Sequence, residues 1–249
     1  VALLKWGDSE SIQNSKNPIK ELVALYQKFH KESQKETVKK GDSLLVQIYK
    51  WWLRFIHGGS LINKARKWFK KLESGDVQAR EMWQFCVDYS MKEFDTIYNR
   101  LGVKFDTYFG ESFFENKMHL IFSDVEKAGI AKISKGALVI FFPNDRLPPL
   151  LIRKNDGTTL YATRDLATDL YRLKKYGQNV VIINEVGKEQ KAYFQQIHKA
   201  EEMLGYFQKG QRIHVTHGHY KFPEGKMSTR EGNVIWLDEV LDEAENKAV

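Results

Sequence analysis

The sequence contains very little cysteine and no long apolar run. Its single cysteine, Cys86, excludes a disulfide framework and a zinc site built from cysteines, and it fits a reducing compartment. No stretch stays apolar over the length needed to cross a bilayer, and no basic-then-apolar leader opens the chain. We therefore expect a cytoplasmic protein that has no membrane partner.

Charged and apolar residues are abundant instead. The 249 residues carry a net charge of +7, and 42% of them are hydrophobic, which is enough for a core in one or two domains. A basic chain favours anionic partners such as nucleotides or nucleic acid, although lysine-rich solvated helices give the same balance. Both ends of the chain have the pattern of a helix interior, so we expect a fragment of a longer protein.

The first part of the chain has a helical pattern. Apolar residues recur at helical spacing from Pro18 to about Lys40 and again from Asn63 to Arg100. Between these tracts, Leu44 to Ile56 is an aromatic-rich apolar run broken by Lys50 and Arg54. Its length predicts a buried or interfacial helix rather than a membrane span, and a buried helix is our first expectation.

Beyond Gly102 the pattern changes to short strands. Residues 103–105, 137–142 and 150–153 are rich in β-branched, aromatic or aliphatic side chains and are bounded by turn residues. The turn signal at 155–157, Asn-Asp-Gly, separates the last of these strands from residues 158–161. This arrangement predicts a β-hairpin.

Helices and strands then alternate towards the C-terminus. In order, we predict a helix, a strand, a helix and a strand at residues 164–176, 179–184, 190–204 and 212–217. This alternation with short connections is typical of a parallel, doubly wound sheet, in which ligands bind beyond the carboxyl ends of the strands. Three motifs fall at or just beyond such ends.

The first motif, Tyr-Ala-Thr-Arg-Asp at 161–165, lies where a strand is predicted to enter a helix. Thr163 can cap that helix, which places Asp165 in its first turn near the positive end of the helix dipole. In a purely structural interpretation, Asp165 stabilises the helix start and Tyr161 is a core aromatic residue. In a functional interpretation, Asp165 offers a planar carboxylate to a guanidinium, with the phenol of Tyr161 beside it.

The second motif follows the next strand and contains Gly187 in a loop and Gln190 at a helix start. Glycine lets a ligand approach the backbone, and glutamine both donates and accepts hydrogen bonds. Glutamine at a helix start is also ordinary, so this motif alone decides nothing.

The third motif joins a histidine-rich strand to a basic loop. His217 and His219 are expected to face one side of the strand with no acidic or cysteine partner nearby, so we do not expect zinc. Gly218 instead suits the close approach of a flat base to the backbone. The loop at 225–230, Gly-Lys-Met-Ser-Thr-Arg, places cations and small hydroxyls on a glycine hinge, which suits a triphosphate.

Together, in this order and spacing, the three motifs resemble those of arginyl-tRNA synthetases, which are class I aminoacyl-tRNA synthetases. The segments that carry the resemblance most clearly are 159–167, 190–195 and 226–233. The resemblance extends over residues 1–40 and from residue 63 to the end. It implies an α/β fold, a Rossmann-like parallel sheet that forms the C-terminal half of a class I catalytic domain, with helical and α+β insertions.

The resemblance also implies how the chain is divided. Residues 1–249 would form one partial catalytic domain. It would hold a helical insertion at 20–85 and a smaller β-containing insertion at 112–158. Residues 159–249 would form the second half of the nucleotide fold, including the signature loop.

Substrate roles follow from the same resemblance. Tyr161, Asp165 and Gln190 would recognise the side chain of L-arginine. The implied reaction is the ATP-dependent activation of arginine to an adenylate, followed by transfer to arginine tRNA. The resemblance implies Mg2+ that arrives with ATP, no metal site formed by the protein, and a monomer.

Catalytic roles would fall on the signature loop and the strand before it. Lys226, Ser228 and Arg230 would act in catalysis: the two cations would neutralise charge on the phosphates, and Ser228 would donate a hydrogen bond to a phosphate oxygen. The residues implied to contact ATP are Gly218, Tyr220, Lys226, Met227, Ser228 and Thr229.

The chain also departs from the family pattern. It lacks the His-containing signature of class I enzymes, and Thr229 stands where many of them have a second lysine. Tyr193 stands where the family usually has histidine, and residues 41–62 have no counterpart that we recognise. Two further interpretations therefore stay open: a non-catalytic fragment that binds arginine or a nucleotide, and another adenylate-forming nucleotidyltransferase.

Overall fold

The computed structural model describes residues 1–39, 41–56, 59–142, 147–219, 227–232 and 234–248. Its α-helices are α1 (Ala2–Trp6), α2 (Ser9–Gln13), α3 (Pro18–Glu36), α4 (Leu44–Ile56), α5 (Leu61–Glu73), α6 (Val77–Arg100), α7 (Met118–Lys127), α8 (Tyr161–Tyr176), α9 (Lys191–Met203) and α10 (Leu237–Ala248). Its strands are β1 (Ala131–Ser134), β2 (Ala137–Ile140), β3 (Leu150–Arg153), β4 (Ile182–Gly187) and β5 (Arg212–His217). Short 3-10 helices cover Glu111–Lys117, Lys188–Gln190 and Thr229–Glu231.

The chain forms two compact units. One contains Val1–Phe105 and Lys221–Val249, and we call it the helical unit. The other contains Asp106–Tyr220, and we call it the sheet unit. The insertions predicted at 20–85 and 112–158 stay predictions.

Helix α3 organises the helical unit. Asn17 caps this helix because its side-chain oxygen accepts a hydrogen bond from the backbone N–H of Lys20 at 3.2 Å, and Pro18 occupies the first helical position. Helices α1, α4, α5 and α6 all contact α3. The helical tracts predicted at 18–40 and 63–100 are confirmed, and the second one divides into α5 and α6.

Helix α4 forms where an apolar helix was predicted, but most of its side chains are exposed. Leu45 and Phe55 have exposed fractions of 79% and 71%, whereas Leu53 is buried. The expectation of a buried helix is therefore wrong. The physical reason is that its cationic side chains, Lys50 and Arg54, bind groups at the end of α3 and in the loop that follows it.

The strand predicted at 103–105 does not form. The backbone N–H of Val103 donates to the carbonyl of Tyr98 at 2.8 Å, so the chain closes the end of α6 at this point. Phe105 packs edge-on against the ring of Tyr98, with the ring centroids 4.7 Å apart. These contacts bind the segment to its own helix, and it finds no strand partner among the described residues.

The first three strands of the sheet unit form an antiparallel sheet in the order β1-β2-β3. The hairpin predicted beyond β3 is reduced to a single bridge between Arg153 and Thr159. A tight turn brings the chain back, with the backbone N–H of Gly157 donating to the carbonyl of Lys154 at 3.0 Å. Tyr161 then begins α8 instead of ending a strand.

Strands β4 and β5 form a parallel pair joined by α9. Their register runs from Ile182 opposite Arg212 to Gly187 opposite His217, so both carboxyl ends meet at one edge. The predicted parallel pairing is confirmed, and β5 has the predicted bounds. β4 begins three residues later than expected, at Ile182 rather than Asn179.

The core of the sheet unit lies between its sheets and helices α7, α8 and α9. Its fully buried side chains include Ile121, Ile140, Ile152, Leu166 and Ile197. Burial of these aliphatic groups provides the main stabilising free energy of the unit. The same packing fixes α8 against α9, and the candidate site lies along these two helices.

Candidate functional site

A cavity of about 570 Å3 lies in the sheet unit beside α8, β4 and the start of α9. The three residues predicted to recognise arginine, Tyr161, Asp165 and Gln190, all line it. Its other lining residues are Phe109, Glu111, Phe114, Thr168, Arg172, Asn184, Val186, Tyr193 and Phe194. The structure therefore brings together side chains from two motifs that are 25 residues or more apart in the sequence.

Thr163 has a different role from the predicted one. The residue that precedes α8 is Leu160, which makes no side-chain cap, and Thr163 lies inside the helix with no exposed surface. Its hydroxyl donates to the backbone carbonyl of Ile152 at 2.5 Å. The cap prediction is wrong because this hydroxyl fastens α8 to β3. Asp165 consequently lies just beyond the first turn of the helix.

Tyr193 is the hydrogen-bond partner of Asp165 among the described residues. Its hydroxyl donates to Oδ2 of Asp165 at 2.5 Å, from α9 to α8. Burial raises the pKa of the Asp165 carboxyl, and the hydrogen bond from Tyr193 opposes this rise. Burial, and after it the charge of Asp165, raise the pKa of Tyr193. The phenol therefore stays protonated and donates a hydrogen bond to the carboxylate.

The other polar groups of the cavity divide into free and engaged ones. Tyr161 is 67% exposed, and Gln190 is exposed at the start of α9, so both side chains are accessible to a ligand. Oδ1 of Asn184 is buried and has no hydrogen-bond partner among the described residues. Glu111 pairs with Arg164 at 3.3 Å. Sequence reasoning missed Asn184 and Glu111 as cavity residues because only the packing of the elements places them there.

A buried ionic network lies behind the cavity and joins α8, α9 and β5. Arg212 donates through Nε to Oε2 of Glu201 at 2.6 Å, and through Nη2 to Oδ2 of Asp169. All three side chains are at least 96% buried. Burial and the neighbouring Asp169 raise the pKa of Glu201. Asp169 also accepts from Arg172 at 2.8 Å, which engages the one arginine that lines the cavity.

Comparison with known proteins places the chain. Residues 1–249 match the family described as tRNA synthetases class I (R), catalytic domain. The chain belongs to this family.

The curated relatives agree with the family match. The arginine–tRNA ligase of Clostridioides difficile is 38% identical over 247 residues, which are 99% of this chain and 39% of the relative. That of an Exiguobacterium species is 41% identical over 249 residues, covering all of this chain and 40% of the relative. The chain thus spans about two fifths of the length of these relatives.

Solved structures show the same fold. The arginyl-tRNA synthetase of Plasmodium falciparum superposes on 91% of this chain and 36% of its own, with a TM-score of 0.61 and 21% identity. A putative arginyl-tRNA synthetase of Campylobacter jejuni gives a TM-score of 0.58 at 14% identity, over 90% of this chain and 49% of its own. The predicted α/β class I catalytic fold, present here as part of a domain, is confirmed.

In this class I catalytic domain, a histidine that follows β5 contacts a glutamate that follows β4. Nε2 of His219 lies 2.5 Å from Oε2 of Glu189, so the expectation that the histidines have no acidic partner is wrong. A Cβ on Gly187 would lie 2.7 Å from this glutamate oxygen and 3.1 Å from the histidine ring, which is why the position suits glycine. Within the described ranges, no three His, Cys, Asp or Glu side chains are placed to hold a metal ion.

The signature loop of the family is described only in part. Tyr220 and Lys226 lie outside the described residues, as does Gly225. Met227, Ser228, Thr229 and Arg230 belong to the helical unit, where Thr229–Glu231 forms a short 3-10 helix that contacts α3. Nε of Arg230 lies 3.4 Å from the hydroxyl of Tyr26. Gly218 directly follows β5, and a Cβ added to it would meet no described atom within 4 Å.

Proposed function

We propose that this chain is part of an arginine–tRNA ligase and that the cavity of the sheet unit binds the side chain of L-arginine. The observation that carries the proposal is the convergence of Tyr161, Asp165 and Gln190 on one cavity, in a chain that belongs to the class I (R) family. The two matched ligases described above carry the corresponding name. The family resemblance names these three residues, and the cavity geometry supports their role by bringing them together.

The chemistry of the cavity suits a guanidinium. Asp165 presents a partly buried carboxylate whose Oδ2 is held by Tyr193, and a planar guanidinium donates to a carboxylate through two parallel hydrogen bonds. In a partly desolvated site this charge pair is stronger than in water. Gln190 and Tyr161 would contribute an amide oxygen and a phenol to the remaining donors. Asn184 also lines the cavity, with its Oδ1 buried.

Activation would then use the arginine carboxylate as nucleophile. One of its oxygens attacks the α-phosphorus of ATP, the bond to the β-phosphate oxygen breaks, and pyrophosphate leaves. A hydroxyl of the terminal ribose of arginine tRNA next attacks the carbonyl of the adenylate, and AMP leaves. Both steps depend mainly on positioning and on neutralising charge.

The signature loop would supply that neutralisation. Lys226 and Arg230 provide cations, and Ser228 provides a hydroxyl donor. Met227 and Thr229 would complete the ATP contacts of the loop, and Gly218 and Tyr220 would present backbone to the adenine. Mg2+ would arrive bound to phosphate oxygens of ATP and would help to neutralise the phosphate charge.

A second candidate is a fragment that binds arginine without activating it. The observation that favours it is that the chain spans 39% of its Clostridioides difficile relative. In both candidates the sheet unit binds the same side chain. We also infer a cytoplasmic location and a monomeric state, which are the expectations from the sequence.

Calorimetry with L-arginine and L-citrulline tests the arginine cavity. Citrulline has nearly the same shape but carries no charge. We expect the chain to prefer arginine, and we expect Asp165→Asn to weaken arginine binding on the order of 100-fold while leaving citrulline binding unchanged. Asp106→Asn, at an exposed position of the same unit, is the matched control. An Asp165→Asn variant that still prefers arginine over citrulline contradicts the assignment.

A further inference from the structure

Helix α4 exposes a continuous apolar face. Along one broad side of the helix lie large side chains that are each at least 49% exposed: Leu44, Leu45, Ile48, Tyr49, Trp51, Trp52 and Phe55. Their aromatic rings stack along the helix, with centroid separations of 6.0 Å between Trp51 and Phe55 and 6.2 Å between Tyr49 and Trp52. We call this surface the α4 face. Exposed apolar patches of this kind mark interaction sites.

The polar side of α4 is turned towards the helical unit. Nζ of Lys50 lies 2.6 Å from Oδ2 of Asp42 and 2.8 Å from the carbonyl oxygen of Thr37. Arg54 donates through two nitrogens to the carbonyl oxygen of Glu36, at 2.9 and 3.1 Å. These contacts anchor the helix by its charges. These hydrogen bonds therefore orient the apolar side of α4 away from the rest of the helical unit.

From the start of α4 to the end of α5 the sequence is strongly basic. Residues 43–72 contain no aspartate or glutamate. They contain seven basic residues: Lys50, Arg54, Lys64, Arg66, Lys67, Lys70 and Lys71. Arg66, Lys67, Lys70 and Lys71, all on α5, are exposed. Both α4 and α5 contact α3, and they follow one another in the chain. A tryptophan-rich apolar helix followed by a lysine-rich helix is a combination that suits anionic lipid surfaces.

We propose that the α4 face docks this protein on an anionic membrane surface, lying parallel to it in the headgroup region. Tryptophan and tyrosine prefer this region because their rings are apolar and their N–H and O–H groups are polar. The lysines of α5 supply the electrostatic attraction to acidic headgroups. The helix does not cross the bilayer, since no described helix is long and apolar enough to do so.

The dimensions of the α4 face argue against a second copy of the chain as its occupant. A helix of 13 residues is about 20 Å long and, with its side chains, about 10 Å wide. One face of it offers on the order of a few hundred Å2, whereas a stable dimer buries about 800 Å2 on each partner. A lipid surface has no such threshold, because each buried side chain contributes separately.

The composition of the face argues against nucleic acid. The cations on α4 itself, Lys50 and Arg54, are engaged with groups of the protein. Leu44, Leu45 and Ile48 offer neither charge nor an aromatic ring to a phosphate or a base. The absence of a spanning segment in the sequence led us to expect no membrane partner. For residues 44–56 the exposed face supports the interfacial alternative instead.

Sedimentation with vesicles of phosphatidylcholine, with and without about a third of phosphatidylserine, tests the proposal. We expect the chain to bind the anionic vesicles, to lose binding in high salt, and to show a blue shift of tryptophan emission. The variant Leu45→Glu/Phe55→Glu is expected to bind at least about tenfold more weakly. Lys67→Gln/Lys70→Gln is expected to lose several-fold of the affinity for anionic vesicles only.

The matched control is Val77→Glu/Ile133→Glu, which adds the same charge at positions that are 71% and 65% exposed, outside the α4 face. Circular dichroism verifies that all variants fold. The proposal is overturned if the chain binds no vesicles, or if the control variant loses as much binding as the α4 variant. It is also overturned if the α4 substitutions abolish a dimer seen by analytical ultracentrifugation, or RNA binding, while vesicle binding is unaffected.

Discussion

At the scale of single residues, the proposed specificity depends on one carboxylate and the phenol that holds it. Asp165 must be ionised to attract a guanidinium, and burial raises its pKa. The hydrogen bond from Tyr193, at 2.5 Å, favours the ionised form. In this proposal Tyr193 is a positioning residue, because it orients Asp165 and its hydrogen bond favours the charged form. The family resemblance implies histidine at this position, and histidine can also donate a hydrogen bond.

Tyr193→Phe tests this dependence. Without its donor the Asp165 carboxyl has a still higher pKa, and arginine binding requires the ionised form. Binding is lost as the pH falls through that pKa, so the loss should begin at a higher pH in the variant. We expect about tenfold weaker binding near neutral pH and a larger deficit in acid, measured by calorimetry between about pH 5 and pH 8.

Two further variants make that result specific. Tyr206→Phe removes a phenol that donates to Asp124 at 2.6 Å in the same unit, so it reproduces the loss of a buried hydrogen bond away from the cavity. Tyr193→His restores a donor and should recover most of the affinity. If Tyr193→Phe weakens binding equally at every pH, the phenol only packs against its neighbours, and the positioning role is wrong.

Sequence patterns predicted some cavity residues and missed others for a physical reason. Tyr161, Asp165 and Gln190 belong to short motifs, so their residue types and local spacing were sufficient. The contact between Tyr193 and Asp165 joins residues 28 positions apart and exists only because α9 packs on α8. The role of Thr163 was predicted wrongly for the same reason. A hydroxyl near a helix start is a candidate cap, but this hydroxyl donates its hydrogen bond to a backbone carbonyl of β3.

At the scale of elements, the buried network of Arg212, Asp169 and Glu201 fixes β5, α8 and α9 against one another. A single guanidinium lies between two buried carboxylates, and a second arginine, Arg172, reaches Asp169 from the surface. Removing the central cation leaves buried charge without compensation, which costs far more than removing an exposed partner. The network therefore supports the wall of the cavity on which Asp165 lies.

Arg212→Met is expected to lower the free energy of unfolding by about 3–5 kcal/mol. The pKa of Glu201, which burial and the neighbouring Asp169 already raise, then rises further because the guanidinium that lowers it is gone. The folded state therefore binds more protons than the unfolded chain, and stability falls as the pH rises. The deficit should be larger at about pH 8 than at about pH 5. Urea denaturation followed by circular dichroism, with hydrogen exchange on α8, α9 and β5, measures it.

The matched variant for this network is Arg172→Met. Its guanidinium pairs with the same Asp169 but is 38% exposed, so the expected loss is below about 1 kcal/mol. Tryptophan emission provides an internal reference, because all six tryptophans lie outside residues 106–220. An Arg212→Met deficit that does not change with pH contradicts the account of the network.

Element prediction succeeded where local patterns and packing agree. β3 and β5 were predicted with their bounds, and α3, α6 and α8 were found from helical periodicity. The pattern failed for α4, whose apolar residues indicated burial although its cations fix the opposite orientation. It also failed at 103–105, where a short apolar segment caps a helix. In both cases the structure depends on hydrogen bonds to backbone groups elsewhere in the chain, and a hydropathy pattern contains no information about such bonds.

At the scale of the whole molecule, recognition and chemistry are assigned to different units. The proposed arginine cavity lies in the sheet unit, whereas residues 227–230 of the signature loop belong to the helical unit. Binding of an arginine side chain needs only the first of these. Adenylate formation needs the arginine carboxylate and the α-phosphate of ATP held in line, so it is far more sensitive to groups that the sequence lacks, such as the His-containing signature of class I enzymes.

We therefore expect this 249-residue chain to bind L-arginine and to show no arginine-dependent exchange of pyrophosphate into ATP. Calorimetry measures the binding, and exchange of labelled pyrophosphate measures the activation, with a complete arginine–tRNA ligase as positive control. Asp165→Asn should weaken the binding on the order of 100-fold and leave the absent exchange unchanged. Robust exchange by the chain would contradict this expectation and would show that the residues at 217–230 supply enough phosphate stabilisation by themselves, because this catalysis depends mainly on positioning and charge neutralisation.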